Sequence, residues 1–254
     1  MSEPKDRTID IADTDRIESA RELLSNAAQL VSFTGAGLSA ESGIATFRDA
    51  QTGLWAKFDP MKLASADGFA RDPELVSSWY QDRRRAMAQA RPNAAHRALA
   101  ERADLHHITQ NIDDLLVRAG ADPARVVSLH GTMTRDRCHG TCGYEVTIDM
   151  HDPPGLRTCP TCGEHLRPAV VWFGEMLPME AWTEAERLCL GCDVLLVVGT
   201  SAVVYPAAGL IALAKDAGAQ VIVVNTQPSD ASALADVELI GRAGEVLPAL
   251  LSSK

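Results

Sequence analysis

Apolar positions along this chain recur with two different periods. Between residues 14 and 26, Ile17, Ala20, Leu23 and Leu24 fall on one stripe of a helix. Residues 29–33 then form a short, nearly continuous apolar run, the pattern of a strand buried on both faces. Further runs of this kind occupy 107–109, 126–129, 194–198, 221–224 and 237–240. Helical patterns separate most of them, over 94–103, 112–119, 179–190 and 206–217. Apolar strands alternating with amphipathic helices predict an α/β architecture, a doubly wound parallel sheet of Rossmann-like form.

Two stretches break the rhythm. Residues 45–91 are rich in Trp, Arg and Asp and carry no strand signal, and residues 135–166 hold four of the six cysteines. Both read as insertions that form a smaller lobe, a helical module plus a zinc ribbon. The predicted division is a mobile tail over 1–13, a large domain from 14–44, 92–134 and 167–254, and a small domain from 45–91 and 135–166.

Composition narrows the function. The chain is 46% hydrophobic and 23% charged, with a formal net charge of -10. An acidic chain has no general attraction to phosphate backbones or anionic lipid, so neither nucleic acid nor membrane is an expected partner. Residues 1–15 are polar and lack the apolar core of a secretory signal, and no apolar run is long enough to span a bilayer. A cytoplasmic, reducing location is therefore expected, where clustered cysteines point to metal rather than disulfides.

Gly35-x-Gly37-x-x-Ala40 follows a strand and precedes a predicted helix, the setting in which glycines let a backbone approach a pyrophosphate. A hydride-transferring dehydrogenase would next show a strand ending in an acidic residue about 20 residues on. Asp59 lies at that distance with no strand before it, which weakens the dehydrogenase reading. Cys138-x3-Cys142 and Cys159-x2-Cys162, separated by 16 residues, supply the four thiolates of a closed structural zinc site. Gly143 and Gly163 follow each pair and suit tight turns, while His139, His151 and His165 stand nearby as possible substitute ligands. Cys189 and Cys192 sit where a helix runs into a strand and read as buried core thiols. His130 ends a strand at the mouth of the sheet, and its titration range suits a general base.

These motifs together resemble the sirtuin family. The resemblance is carried by residues 35–48 (GAGLSAESGIATFR), 109–113 (TQNID), 129–131 (LHG), the paired cysteines, 171–175 (VWFGE) and 199–201 (GTS), in the family's order. It implies a Rossmann-like domain and a zinc-bearing domain flanking a cleft for NAD and an acyl-lysine peptide. NAD is then consumed: the acyl oxygen attacks the nicotinamide ribose, nicotinamide leaves, and free lysine and O-acyl-ADP-ribose result. By the same resemblance His130 is the base, with Asn111 beside it. Cofactor contacts fall to Gly35, Ala36, Gly37, Ser39, Ala40, Phe47, Arg48, Gln110, Asn111, Asp113, Gly199, Thr200, Ser201, Asn225 and Ala243. The backbone of Val171, Trp172, Phe173, Gly174 and Glu175 is expected to pair with the substrate peptide as an added strand.

Asp72-Pro73 is a strong helix start, and Tyr80 and Arg83 then share a face. A phenol and a guanidinium can together hold a carboxylate. The stretch 79–85 resembles the sirtuin branch that removes succinyl, malonyl or glutaryl groups, so acyl-lysine proteins carrying such groups are the expected partners of a monomeric enzyme. A solvated basic face is the bland reading of Arg83, Arg84 and Arg85. Two rival functions fit the same motifs: an NAD-dependent mono-ADP-ribosyltransferase and a non-catalytic zinc-ribbon module that binds NAD or peptide.

Overall fold

The computed structural model describes residues 11–45, 59–152 and 155–252. The first helix, α1 (Ile11–Asn26), begins three residues ahead of the predicted start, inside the expected tail, whose residues 1–10 lie outside the described ones. Then come β1 (Leu30–Thr34) and the single turn α2 (Gly37–Ala40). The small lobe's helices are α3 (Pro60–Leu63), α4 (Ala66–Arg71) and α5 (Pro73–Gln89). The chain continues with α6 (Ala94–Ala100), β2 (Leu105–Thr109), α7 (Leu115–Arg118), β3 (Val126–Ser128) and β4 (Gly131–Cys138). Short strands β5 (Glu145–Thr147) and β6 (Arg157–Thr158) lead to β7 (His165–Val170). The last elements are α8 (Met179–Gly191), β8 (Val194–Val198), α9 (Gly209–Asp216), β9 (Gln220–Asn225), β10 (Val237–Ile240) and α10 (Ala243–Leu251).

Six strands form one parallel sheet in the order β10-β9-β8-β1-β2-β3. Strand alternation sends Leu30, Val194, Leu196, Val198, Ile222 and Val224 to the face covered by α1, α6 and α10. Val31, Phe33, Leu195, Val197, Val221 and Val223 face α8 and α9 on the other side. The continuous apolar runs thus have the cause the sequence suggested: both faces are core. The strand order reverses between β1 and β8, so their C-terminal ends, Thr34 and Val198, flank the crevice where such sheets bind ligands.

The predicted helix over 112–119 is reduced to α7. Asp113 Oδ1 accepts from the Leu115 N–H and the Ile112 carbonyl accepts from the Met133 N–H, which hold 111–114 as a loop at the crevice.

The four-stranded antiparallel sheet β5-β4-β7-β6 belongs to the small lobe. It begins at Gly131 and closes at Val170, so the junctions expected at 134/135 and 166/167 lie inside its two long strands. Helix α5 starts as its sequence dictates, with the Asp72 carboxylate accepting from the Leu75 N–H and Pro73 at the first helical position. Its buried stripe is Val76, Tyr80, Arg84 and Met87. Arg84 is buried, pairs with Asp136 on β4 at 2.6 Å and donates to the carbonyls of Met133 and Arg135. That contact clamps the helical module to the ribbon.

Candidate active site

At the crevice two loops pack directly on each other. The Gly35 N–H donates to the Val198 carbonyl (3.0 Å) and the Gly37 N–H to the Gly199 carbonyl (2.8 Å). A Cβ on Gly35 would lie 2.8 Å from Thr200 Cβ, and one on Gly37 would lie 2.7 Å from Gly199 Cα. These glycines are therefore required for loop-on-loop contact. The predicted helix after them is the single turn α2, and the Gly37 N–H is committed within the chain. Gln110 Nε2 donates to Thr200 Oγ1 at 3.1 Å, and Asn225 Nδ2 to the Thr200 carbonyl at 2.9 Å. Gly35, Gly37, Gln110, Gly199, Thr200 and Asn225 thus meet. Ala36 is half-buried at this turn and Ala40 is exposed. Ser201 is half-buried, and its carbonyl accepts from the Asp230 N–H. Ala243 opens α10, where the next N–H, of Gly244, donates to Glu41 Oε1 at 2.8 Å. Phe47 and Arg48 lie outside the described residues.

Behind the loops is a buried polar cluster. His96 Nδ1 accepts from the Asn93 N–H, so its proton resides on Nε2, 3.4 Å from Ser39 Oγ. Ser39 Oγ donates to Asp113 Oδ2 at 2.8 Å and accepts from Asn111 Nδ2 at 3.2 Å. Ser39 is only 1% exposed. Its hydroxyl is an internal tie that orients Asn111 and Asp113. Burial pushes the Asp113 carboxyl up, opposed by the hydrogen bonds from Ser39 and the Leu115 N–H. Burial holds His96 down at about 4, with the Arg97 charge adding to the effect.

His130 sits on the turn between β3 and β4. Its Nδ1 lies 2.9 Å from the Gln110 carbonyl. A carbonyl only accepts, so Nδ1 carries the proton and Nε2 keeps a free lone pair. Burial lowers the imidazole pKa, partly offset by that hydrogen bond. The next residue must be glycine. Gly131 has φ +75°, and a Cβ there would lie 2.1 Å from the Ala169 carbonyl oxygen.

The segment 171–175 is not an open strand edge. The N–H groups of Val171 and Phe173 donate to the carbonyls of His130 and Ala64, that of Glu175 to the Trp172 carbonyl, and that of Trp172 to Glu175 Oε2. Among the described residues only the Gly174 N–H has no partner within this segment. The Trp172 side chain is buried in the small-lobe core, and Glu175 is ion-paired to Arg167 and Arg137. Arg167, which no sequence motif marks, is buried and stacks 3.9 Å above the Trp172 ring.

Trp172 Nε1 donates to the Tyr80 hydroxyl at 2.8 Å. Burial raises the Tyr80 pKa to about 12, so the phenol keeps its proton, for which no acceptor exists among the described residues. One helical turn on, Arg83 is half-buried with its guanidinium 4.9 Å from the Trp79 ring centroid. Its buried Nε has no hydrogen-bond partner, and no carboxylate pairs with it among the described residues. Burial lowers its pKa, while Tyr80 and Asp113 are near enough to pull it back up. The three arginines therefore divide: Arg84 is structural, Arg85 pairs with Asp82 at 3.0 Å, and Arg83 has an unfilled partnership.

The sulfurs of Cys138, Cys142, Cys159 and Cys162 all lie within 4.8 Å of one another, three of the separations being 3.4, 3.6 and 3.5 Å. Four thiolates about 2.3 Å from a zinc ion would be about 3.8 Å apart. The donor set fits one structural zinc, and the x3 spacing of the first pair does not disturb it. His139 and His165 are not substitutes for a misplaced thiolate, since their rings pack on Phe69 at 4.8 and 6.3 Å between centroids. Cys189 and Cys192 are buried thiols of the large domain's core, pushed up to about 12 and about 11 by burial.

The fold and the site define a two-lobed protein: a doubly wound dinucleotide-type domain carrying an inserted four-cysteine ribbon. The model of the Sir2 family matches residues 35–206, and the chain belongs to that family. The NAD-dependent protein deacylase of Ralstonia nicotianae is 46% identical over 245 residues, covering 95% of this chain and 98% of that protein. A Sir2 homologue solved as its NAD complex superposes with a TM-score of 0.86 at 43% identity, covering 92% of each chain. A mutant Sir2 homologue in complex with 2'-O-acetyl ADP ribose also gives 0.86, at 42% identity, covering 92% of this chain and 94% of the other.

Proposed function

We propose that this chain is an NAD-dependent protein-lysine deacylase that favours acyl groups ending in a carboxylate, succinyl and malonyl among them, and releases nicotinamide and O-acyl-ADP-ribose. NAD is a consumed substrate in this reading, its nicotinamide displaced at the ribose by the acyl oxygen. The relatives named above support the reaction, one by its name and two by the ligands they hold. In this reading His130 Nε2 takes the proton of a ribose hydroxyl, and Gln110 holds the ring in the tautomer that allows it. Asn111, held by one hydrogen bond from its Nδ2 to Ser39, faces the nicotinamide side. Asp113 and Gln110 order the cofactor loop. Gly35, Ala36, Gly37, Ser39 and Ala40 line the phosphate and ribose path with Gly199, Thr200 and Ser201. Asn225 and Ala243 receive the adenosine end, and Phe47 and Arg48 cover the cofactor.

The acyl preference rests on one observation: two donors on one helix face, the Tyr80 O–H and Arg83 Nε, are both without an acceptor among the described residues. A buried donor left unpaired costs stability, and a guanidinium costs most. A terminal carboxylate would satisfy both at once, whereas an acetyl methyl would satisfy neither.

Incubation with NAD and matched acetyl-, malonyl-, succinyl- and glutaryl-lysine peptides, read by mass spectrometry, tests this reading. Arg83→Met is expected to lower desuccinylation about 10- to 100-fold more than deacetylation, as loss of a charge-assisted hydrogen bond implies. Equal losses on both substrates would remove the acyl assignment. A protein product heavier by ADP-ribose would favour the transferase reading instead.

A further inference from the structure

The arrangement behind Tyr80 carries a second specificity residue. Trp172 is 2% exposed, and its indole is fixed from several sides. The Arg167 guanidinium stacks on it at 3.9 Å, and the Phe69 ring packs on it at 5.3 Å between centroids. Its backbone N–H donates to Glu175 Oε2 at 2.9 Å, which holds the main chain from which the ring projects. The ring cannot swing, so its Nε1–H has a fixed direction, and that direction ends on Tyr80 Oη.

A phenol oxygen that accepts from a fixed donor has its O–H confined to the remaining directions. With no acceptor for that proton among the described residues, the rotor is aimed by Trp172 alone. Arg83, on the same helix face, supplies the charge. We propose that Trp172 is a positioning residue for acyl selectivity, holding the Tyr80 O–H toward the acyl carboxylate that Arg83 receives. The role rests on the carboxylate-acyl reading above and adds to it a residue that touches no acyl group itself. It also gives the ribbon a part in selectivity, because Arg167 on β7 and Arg137 on β4 fasten the Glu175 carboxylate that pins the Trp172 backbone.

The test is a double-mutant cycle on Trp172→Phe and Tyr80→Phe, with kcat/KM for succinyl- and acetyl-lysine peptides of one sequence. Trp172→Phe keeps an aromatic ring and removes the N–H. It is expected to lower the succinyl-to-acetyl ratio about 3- to 10-fold, the worth of one neutral hydrogen bond. On the Tyr80→Phe background, which has no hydroxyl to aim, the same substitution should leave the ratio where Tyr80→Phe put it. Two outcomes overturn the proposal: a fall on both substrates by the same factor, or a fall in the ratio that persists on the Tyr80→Phe background. Arg83→Met, run alongside, separates the levels. If it collapses the ratio while Trp172→Phe does not, only the positioning role fails; if it leaves the ratio unchanged, the acyl reading fails and takes the role with it. Tyr80→Phe, measured alone, supplies the ratio change should Trp172→Phe not fold: no change in the ratio there also overturns the proposal.

Discussion

His130 shows how one hydrogen bond defines a residue's chemistry. The Gln110 carbonyl fixes the proton on Nδ1, and burial keeps the ring neutral below the ordinary histidine pKa of 6.5. Two outcomes follow. His130→Ala should fold normally and lose about 10²- to 10⁴-fold in turnover, the usual contribution of a positioned base; a fully active variant would remove His130 from the mechanism. A base works unprotonated, so a lowered pKa moves the acid limb of the kcat/KM profile downward, below the value of a free imidazole. A limb at or above 6.5 in a pH–rate profile would contradict the environment described here. The position of His130 was legible because a strand-ending histidine before glycine is a local pattern. Its tautomer was not, since it depends on a carbonyl 20 residues away. The orientation of Ser39 was hidden for the same reason: the loop motif names it, but only the tertiary approach of Asp113, Asn111 and His96 turns its hydroxyl inward.

Among the elements, those the sequence shows best are those whose own residues suffice. The strands of the large sheet are continuous apolar runs because both faces are covered, and α5 announces itself with Asp72 and Pro73. The elements it shows worst depend on partners. Strand β4 carries Arg135, Asp136 and Arg137 in its second half and has no clean alternation, and β7 contains Pro168. Their pairing is set by the ribbon turns and by the buried Arg84–Asp136 contact, whose two halves lie 52 residues apart. The stripe Val76, Tyr80, Arg84, Met87 would have revealed Arg84 as inward-facing, had the arginine run not been read as one unit. The clamp can be measured. Arg84→Ala should cost about 3–5 kcal/mol in urea unfolding, the cost of stranding one partner of a buried ion pair. Arg85→Ala, at an exposed pair, should cost no more than about 0.5 kcal/mol. Equal effects would mean that the clamp does not join the helical module to the ribbon.

Across the whole molecule, neutral histidine is a recurring device, and it sets how the fold responds to acid. His107 lies on β2, between β1 and the edge strand β3 of the large sheet, 2% exposed, with Nδ1 at 2.8 Å from Ser32 Oγ. Burial, reinforced by the charges of His106 and Arg125, holds it at about 4, as burial holds His96 on α6. An unfolded chain protonates both near 6.5, so below that pH the unfolded state binds the extra protons. The stability each neutral ring preserves is fully present above about 6.5 and is lost as pH falls toward about 4. A displacement of that size is worth roughly 3 kcal/mol per group. Carboxylates and the cysteine cluster also respond to acid, so the histidine share must be taken as a difference. His107→Gln keeps a polar side chain facing Ser32 and cannot be protonated in this range. The variant should be less stable than the wild type at neutral pH, and the gap should narrow by roughly 3 kcal/mol as the pH is lowered to 4, with both proteins unfolded in urea under the same conditions. A gap independent of pH would show that His107 takes up its proton inside the folded sheet, and that the crevice rests on a more hydrated strand than its burial implies.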